Sequence, residues 1–177
     1  MRRSAAFAKS RSSAHAPSLR GMRGDAAVIE LLNEVLTAEL TSVNQYFADA
    51  KMCANWGYDH LAEKFREESI GEMKDADALI ERILYLEGMP NLQRLGSVRI
   101  GETVPEKLQL ALELERSSID RLNRGIATCI GAGDHGSREL LDRILEGEED
   151  HADWIETQLE LLRQIGEAHY LARQVRS

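Results

Sequence analysis

The sequence predicts an all-α protein built as an antiparallel four-helix bundle. The chain contains three prolines and 5% aromatic residues, is rich in Leu, Ala, Glu, Arg and Ile, and shows no alternation typical of strands. Four stretches of near-equal length have a helical period of apolar residues, and two short turns and one long connection join them. At 177 residues, the chain suits one domain with a sizeable core.

The first two predicted helices are separated by a glycine. Asp25 is a plausible N-cap for a helix that runs to about Trp56, where Gly57 breaks it. Asp59 then caps a second helix, which ends at the Gly-Met-Pro sequence of residues 88–90. The apolar stripes consist of Val28, Leu32, Val35, Leu36, Leu40, Val43 and Phe47 in the first helix, and of Leu61, Phe65, Ala76, Leu79, Ile83 and Leu86 in the second.

Residues 88–103 lack a helical period and form the long connection. As extended chain they reach about 50 Å at roughly 3.3 Å per residue, and a helix of about 30 residues is about 45 Å long. Helices two and three can therefore run parallel, joined by one crossover. Thr103 and Glu106 have the spacing of a capping box, and Pro105 lies in the first turn of the third helix.

The second half of the chain predicts two long helices and a short tail. A glycine pair around Ala132 ends the third helix, Asp134 opens the fourth, and Gly166 stops it. Residues from Glu167 to Val175 form a short fifth helix, which needs a docking partner because isolated helices of that length are unstable. The apolar stripes are Leu108, Leu112, Ile119, Leu122, Ile126 and Cys129, then Leu141, Ile144, Ile155, Leu159 and Leu162.

Charge and cysteine content limit the kinds of partner. Five of the 22 basic residues lie in residues 1–21, which contain no acid, so the chain from Met22 onward has 17 basic and 30 acidic residues. This balance argues against nucleic acid and anionic membranes as partners and is compatible with attracting cations. Cys53 and Cys129 have no C-x-x-C spacing, and a reducing cytoplasm is the simplest location. No apolar run approaches the roughly 18–20 residues of a membrane span.

Residues 1–21 form a Ser-, Ala- and Arg-rich segment that we expect to be a disordered basic extension of the domain formed by residues 22–177. Three interpretations stay open: a transit peptide, a twin-arginine signal beginning at Arg2 and Arg3, or an upstream start-site artefact in which Met22 is the true first residue.

Each long helix places an acid where its apolar stripe predicts a core residue. The residues at these positions are Glu39, Glu72, Glu115, Glu148 and His151. Glu148 and His151 are three residues apart and therefore share a helix face. One such acid alone is more often an edge residue or half of a buried ion pair, and a core histidine is usually just hydrogen-bonded.

The same exception in four helices favours a metal centre. Converging buried carboxylates repel one another, and the inner faces carry too few Lys and Arg residues to pair them. Glutamates from separate helices with a Glu-x-x-His motif are the dinuclear arrangement known in helix bundles. Oxygen ligands with one imidazole suit iron or manganese better than zinc, and we predict iron.

From Met22 to about Tyr170 the sequence closely resembles the bacterioferritins. The segments that carry the resemblance are MRGD, ELTSVNQYF, ESIGEMK, IERILYLEGMPNLQRLG and EGEEDHADWIETQLELL. The resemblance implies a ferritin-like fold and a cytoplasmic, hollow shell of 24 subunits arranged as two-fold dimers. Such a shell oxidises Fe(II) with oxygen or peroxide, stores the ferric mineral, and takes electrons from a ferredoxin-type donor for iron release.

The resemblance also implies a role for each metal ligand. Glu39 would be a terminal ligand of one iron, and Glu115 and His151 would be terminal ligands of the other. Glu72 and Glu148 would bridge the two irons.

Two further residues gain roles from the resemblance. Tyr46, seven residues after Glu39 on the same helix face, would lie beside the centre, either as a residue that contacts the ligands or as a redox partner. Met73 would ligate the iron of a haem b shared by a two-fold pair of subunits, and it projects about 100° round the helix from Glu72. The short tail helix would line the four-fold channels.

One departure from the family pattern concerns the second helix. The family has Glu-x-x-His there, whereas residues 72–75 read E-M-K-D, so Asp75 stands where the first iron would find an imidazole. Aspartate can ligate iron, but it is shorter and adds a negative charge. Three outcomes stay open for that iron, which are binding through water, loose binding and exchange, and each weakens the ferroxidase activity. Glu67 and Gly71 also differ from the His and Asp of an accessory inner-surface iron site in some relatives.

Three functions therefore stay open. The first is a haem-containing iron store with an altered but working ferroxidase centre. The second is a ferroxidase-impaired, haem-carrying subunit that co-assembles with a catalytically intact sister subunit, and Asp75 alone supports it. The third, a rubrerythrin-like peroxidase, is weakened by the absence of a Cys-rich module.

Overall fold

A computed structural model describes residues 23–176, so the predicted extension of residues 1–21 lies outside the described residues. Five helices make up the described chain, and no strand occurs in it: α1 (Ala26–Asn55), α2 (Asp59–Tyr85), α3 (Val104–Ala132), α4 (His135–Ile165) and α5 (Glu167–Ala172). The predicted all-α bundle of four long helices with a short fifth one is confirmed. No helix within the described range is both long and apolar enough to cross a membrane.

Contacts between helix ends establish the directions of the helices. The Gly24 N–H, just before α1, donates to the Leu86 carbonyl, just after α2, at 3.0 Å. Lys107, near the start of α3, contacts Asp49, near the end of α1, at 2.6 Å. Helix α1 therefore runs antiparallel to both α2 and α3, and α2 and α3 run parallel, as the long crossover predicts.

The crossover is held along α1 by polar side chains of that helix. Asn33 Oδ1 accepts from the Asn91 N–H at 2.7 Å, and Thr41 Oγ1 accepts from the Gly96 N–H at 2.8 Å. A Cβ at Gly96 would lie 3.1 Å from that same Thr41 oxygen, so a side chain there would press on the contact. These bonds replace the hydrogen bonds that an extended segment lacks.

Three predicted N-caps are confirmed. Asp25 accepts from the Ala27 N–H at 2.8 Å, Thr103 accepts from the N–H of Glu106, and Asp134 accepts from the N–H of Ser137 at 2.9 Å.

The prediction that Asp59 caps α2 is wrong. Asp59 is the first residue of the helix, and the capping position is Tyr58, whose side chain makes no capping hydrogen bond. An acid in the first turn still stabilises the helix, because its charge complements the positive end of the helix dipole.

The core consists of two apolar clusters, and each cluster contains residues from all four long helices. One contains Val28, Leu32, Val35, Leu36, Ala76, Leu79, Ile83, Leu86, Leu122, Cys129, Leu141 and Ile144. The other contains Tyr46, Ala50, Cys53, Leu61, Phe65, Val104, Leu108, Ala111, Leu112, Ala152, Ile155 and Tyr170. On every long helix, the predicted site residue lies between the residues of the first cluster and those of the second.

Phe47 departs from the predicted stripe, since 49% of its surface is exposed. C-terminal to Val43, the buried face of α1 continues through Tyr46, Ala50 and Cys53. The steps from Val43 to Tyr46, Ala50 and Cys53 are three, four and three residues, and they keep these side chains on the core side of the helix. Phe47 follows Tyr46 by one residue and therefore projects outward.

Helix α5 docks on the second cluster through Tyr170. This side chain is 2% exposed, and its hydroxyl donates to Gln158 Oε1 of α4 at 3.1 Å. The Gln174 carbonyl accepts from the His60 N–H at 3.0 Å, so the tail also contacts the start of α2. The helix ends at Ala172, three residues before the predicted end at Val175.

Candidate metal centre

The site lies in a polar layer between the two apolar clusters. Helix α1 contributes Glu39, α2 contributes Glu72, α3 contributes Glu115, and α4 contributes Glu148 and His151. Each of the five side chains is 6% exposed or less. The structure thus brings together all five residues at which the apolar stripes are interrupted.

These side chains form two overlapping groups. Ligand atoms of Glu39, Glu72 and Glu148 lie within 4.8 Å of one another, and so do ligand atoms of Glu72, Glu115 and His151. Glu72 belongs to both groups. The geometry offers two neighbouring positions for a cation, with one carboxylate common to both.

Burial and mutual repulsion raise the pKa values of the carboxyls. Burial, with the nearby charge of Glu148, raises the pKa of Glu39 to about 8, and burial raises the pKa of Glu115 to about 7. Burial and the neighbouring carboxylates hold the pKa values of Glu72 and Glu148 well above their usual range. Protons or cations must therefore neutralise this cluster near neutral pH.

Several polar atoms of the cluster have no hydrogen-bond partner within the described protein. They are both carboxylate oxygens of Glu39, Oε2 of Glu115, Oε1 of Glu148 and both ring nitrogens of His151. Burial lowers the pKa of His151, which favours the neutral imidazole that binds metals. Buried polar groups without protein partners, on residue types that bind iron, fit a metal centre.

Tyr46 lies directly against this cluster. Its side chain is fully buried, and its hydroxyl donates to Glu115 Oε1. The centroid of its ring is 5.1 Å from that of the His151 imidazole and 6.0 Å from that of the Phe65 ring. Burial and the nearby carboxylates raise its pKa well above its ordinary value, so Tyr46 is a neutral phenol.

Glu68 also lies at the site, although it was not predicted from the sequence. Its Oε2 lies 3.6 Å from Nδ1 of His151, and its other oxygen pairs with Lys64. A usable signal existed, because Glu68 precedes Glu72 by four residues and so shares its helix face.

A cavity of about 150 Å³ reaches the cluster between α2 and α4. Its polar lining consists of Glu68, Glu72, Asp75, Glu148 and His151. Asp75 belongs to neither group of closely spaced ligand atoms. Burial raises the pKa of Asp75, and the charges of Arg143 and Lys74 oppose that effect.

Met73 lies on a different face of α2 from Glu72 and is 56% exposed. Ile70, one turn earlier on the same face, is also exposed, as is Phe47 of α1. Phe47 lines a shallow cavity together with Arg66, one turn before Ile70. Two exposed apolar side chains, Met73 and Ile70, therefore lie next to each other on this face of α2.

Comparison with known proteins agrees with the fold and the site. A family model described as Ferritin-like domain matches residues 29–165, and this is the class that the bundle and its buried carboxylate layer define. Bacterioferritin of Mycobacterium leprae is 48% identical over 152 residues, which are 86% of this chain and 96% of that protein. Bacterioferritin of Streptomyces coelicolor is 48% identical over 151 residues, or 85% and 90% of the two chains. Bacterioferritin of Brucella melitensis is 46% identical over 149 residues, or 84% and 92%. The chain therefore belongs to the bacterioferritin family.

Proposed function

We propose that this protein stores iron and oxidises Fe(II) at the buried carboxylate layer, with oxygen or peroxide as the oxidant. The observation that carries the proposal is the pair of overlapping ligand groups, which five buried side chains from four helices build. Two Fe(II) ions are the substrates, and the cluster of like charges supplies the ligands that a hard cation prefers.

Each proposed ligand has a defined part in binding the two Fe(II) ions. Glu39 binds one ion, Glu115 and His151 bind the other, and Glu72 and Glu148 bridge them. The membership of Glu72 in both groups supports its bridging role. Two Fe(II) ions held side by side can together deliver two electrons, which with two protons reduce one O2 to hydrogen peroxide or one hydrogen peroxide to two water molecules.

Binding of Fe(II) displaces protons from the cluster. The raised pKa values of Glu39 and Glu115 mean that these carboxyls hold protons near neutral pH before the cation arrives. Tyr46 keeps its own proton and orients Glu115 through its hydrogen bond. The acidic cavity between α2 and α4 attracts Fe(II) toward the cluster.

Asp75 occupies the position where the family pattern has a histidine ligand. Because it lies outside both close groups, we propose that it binds the first ion loosely and weakens the ferroxidase activity. Replacing Asp75 with His should then accelerate Fe(II) oxidation.

The test is stopped-flow measurement of Fe(II) oxidation in air. We expect a fast phase that Glu115→Ala or His151→Ala removes. Glu148→Gln and Glu149→Gln form a matched pair, because Glu148 is buried in the cluster and its neighbour is exposed. The fast phase should disappear in the first variant and persist in the second. An anaerobic titration should show two tight Fe(II) sites per subunit, and a chain with no tight site would refute the proposal.

A haem b fits the outer face around Met73. A thioether shared between two subunits must be exposed in the single chain, as Met73 is, and Ile70 adds an exposed apolar side chain one turn away. We propose that Met73 would ligate this haem between two-fold partners in a shell of 24 subunits, where the haem would supply one-electron redox chemistry. The Met73→Leu variant should lose the haem absorption band and keep the fast oxidation phase.

Asp75 also favours a second candidate function, a haem-carrying subunit that needs a catalytically intact sister chain. In that case the purified chain alone would show no fast phase, and addition of the sister subunit during assembly would restore it.

A further inference from the structure

A groove rich in arginine lies between α1, α3 and the crossover. It encloses about 470 Å³. Its charged lining comprises Arg94, Arg99, Arg121, Arg124, Glu34 and Glu113. We refer to this feature as the arginine groove. It is separate from the acidic cavity between α2 and α4, with which it shares no lining residue.

Three of the four arginines have no carboxylate partner. Arg99 Nη1 pairs with Glu113 Oε2 at 2.7 Å. Arg94, Arg121 and Arg124 form no ion pair with any acid in residues 23–176. Acids greatly outnumber bases in this part of the chain, so three unpaired guanidinium groups in one groove leave a local positive potential inside an acidic protein.

The walls of the groove are built to hold these groups in place. Ser117, Arg121 and Arg124 project from one face of α3, and Arg121 Nη2 reaches Ser117 Oγ at 3.5 Å. The facing wall is the crossover, which hydrogen bonds tie to α1 through Thr41 and Gln45. Two long helices and a tethered segment therefore fix the backbone that carries the arginines.

We propose that the arginine groove binds phosphate, either as orthophosphate or in condensed form. Guanidinium groups offer paired N–H donors that match the oxygens of phosphate, and each such hydrogen bond is strengthened by charge. Hydroxyl groups of Ser97 and Ser117 add neutral donors to the lining. The volume exceeds that of a single orthophosphate, so the groove also has room for pyrophosphate.

This assignment does not depend on iron oxidation, because none of the five proposed iron ligands lines the groove. Cations and anions thus have separate cavities, one acidic and one basic. The iron-free protein can test phosphate binding by itself, so a failure here leaves the proposed iron chemistry untouched.

The test is isothermal titration calorimetry of the iron-free, assembled protein with orthophosphate and with pyrophosphate, in a buffer free of other oxyanions. We expect saturable binding that weakens at high salt, because salt screens the charges of the exposed arginines. The Arg121→Gln/Arg124→Gln variant should bind at least roughly tenfold more weakly. Tighter binding of pyrophosphate than of orthophosphate would identify the condensed form as the preferred ligand and also support the groove.

The matched control is Arg66→Gln/Arg173→Gln. It removes the same charge from two exposed, unpaired arginines outside the groove, and its affinity for phosphate should change less than about twofold. Equal losses in both double variants would show a non-specific effect of net charge and would overturn the proposal. It would also be overturned if no saturable binding occurred below about 10 mM. An altered oligomeric state with unchanged phosphate affinity would instead assign the arginines to contacts between subunits.

Discussion

Two groups of charged side chains are buried in this bundle, and their charges are neutralised in different ways. Lys107 and Asp49 form an ion pair at 2.6 Å in which both side chains are almost fully buried. Lys107 Nζ also lies 5.2 Å from the centroid of the Trp56 ring. The carboxylate layer contains four acids and one imidazole, and no Lys or Arg of the described chain pairs with any of the four.

The difference in charge balance distinguishes a structural ion pair from a binding site. Lys107 and Asp49 neutralise each other's charge within the chain, so this pair needs no added proton or cation, although burial still raises the pKa of Asp49. The carboxylate layer has no such internal offset, and it becomes neutral only by taking up protons or cations. A matched buried pair therefore indicates a structural role, whereas an unmatched cluster of like charges indicates a binding site.

The largest effect should follow from breaking the matched pair. Lys107→Met leaves Asp49 buried without a cation, and we expect a loss of about 3–5 kcal/mol in the free energy of unfolding. Urea denaturation of the iron-free protein measures this loss. The double variant Lys107→Met/Asp49→Leu should recover most of it, since no charge then remains unpaired. If the single variant were as stable as the parent, the pair would have no structural role.

Removing a charge from the unmatched cluster should have the opposite sign. Glu72→Gln keeps the shape of the side chain and removes an ionisable group that burial and three neighbouring acids disfavour. We expect the iron-free protein to become more stable by about 1–2 kcal/mol at neutral pH, while tight Fe(II) binding is lost. A loss of stability in the absence of iron would contradict the conclusion that the carboxylate layer destabilises the iron-free protein.

The pH dependence of stability should follow from the same cluster. The folded-state pKa of Glu39 is about 8 and its ordinary value is 4.5, so the folded protein binds more protons between these values. The free energy of unfolding of the iron-free protein should therefore fall as the pH rises from about 4.5 to about 8. Thermal melts across this range measure the fall.

Glu39→Gln provides the check on this pH dependence. It should flatten the slope between neutral and mildly alkaline pH. The contribution of His151 has the opposite sign, since its lowered pKa makes the folded state less stable on acidification through the ordinary value of 6.5. That acid-side loss should persist in Glu39→Gln, and a variant with an unchanged alkaline slope would exclude Glu39 as its source.

The smallest effect should come from the edge of the cluster. Glu68 contacts His151 at 3.6 Å and lines the acidic cavity, so Glu68→Gln should slow Fe(II) oxidation by roughly threefold through weaker attraction of the cation. Glu67→Gln, at the exposed neighbouring position, is the control and should leave the rate unchanged. Stopped-flow kinetics at low ionic strength compare the two variants.

Most of the fold and the five residues that interrupt the apolar stripes could be predicted from the sequence. Helical periodicity and capping are local properties, so Asp25, Thr103 and Asp134 could be assigned from their neighbours. Interruptions such as Glu39 and Glu115 are visible for the same reason, because a period of 3.6 residues defines where a core residue belongs. Phe47 shows the limit of this reasoning, since a shift of one residue in the stripe turns a side chain from the core to the surface.

The sequence by itself determined that four amphipathic helices form and that each carries an acid on its buried face, because residues a few positions apart set both properties. Only the tertiary structure decided which acids find a cation. Lys107 contacts Asp49 across 58 positions of sequence, while Arg121 and Arg124 of α3 line the groove beside the crossover. Pairing of buried charges depends on distances of a few ångströms between helices, and no local pattern encodes those distances.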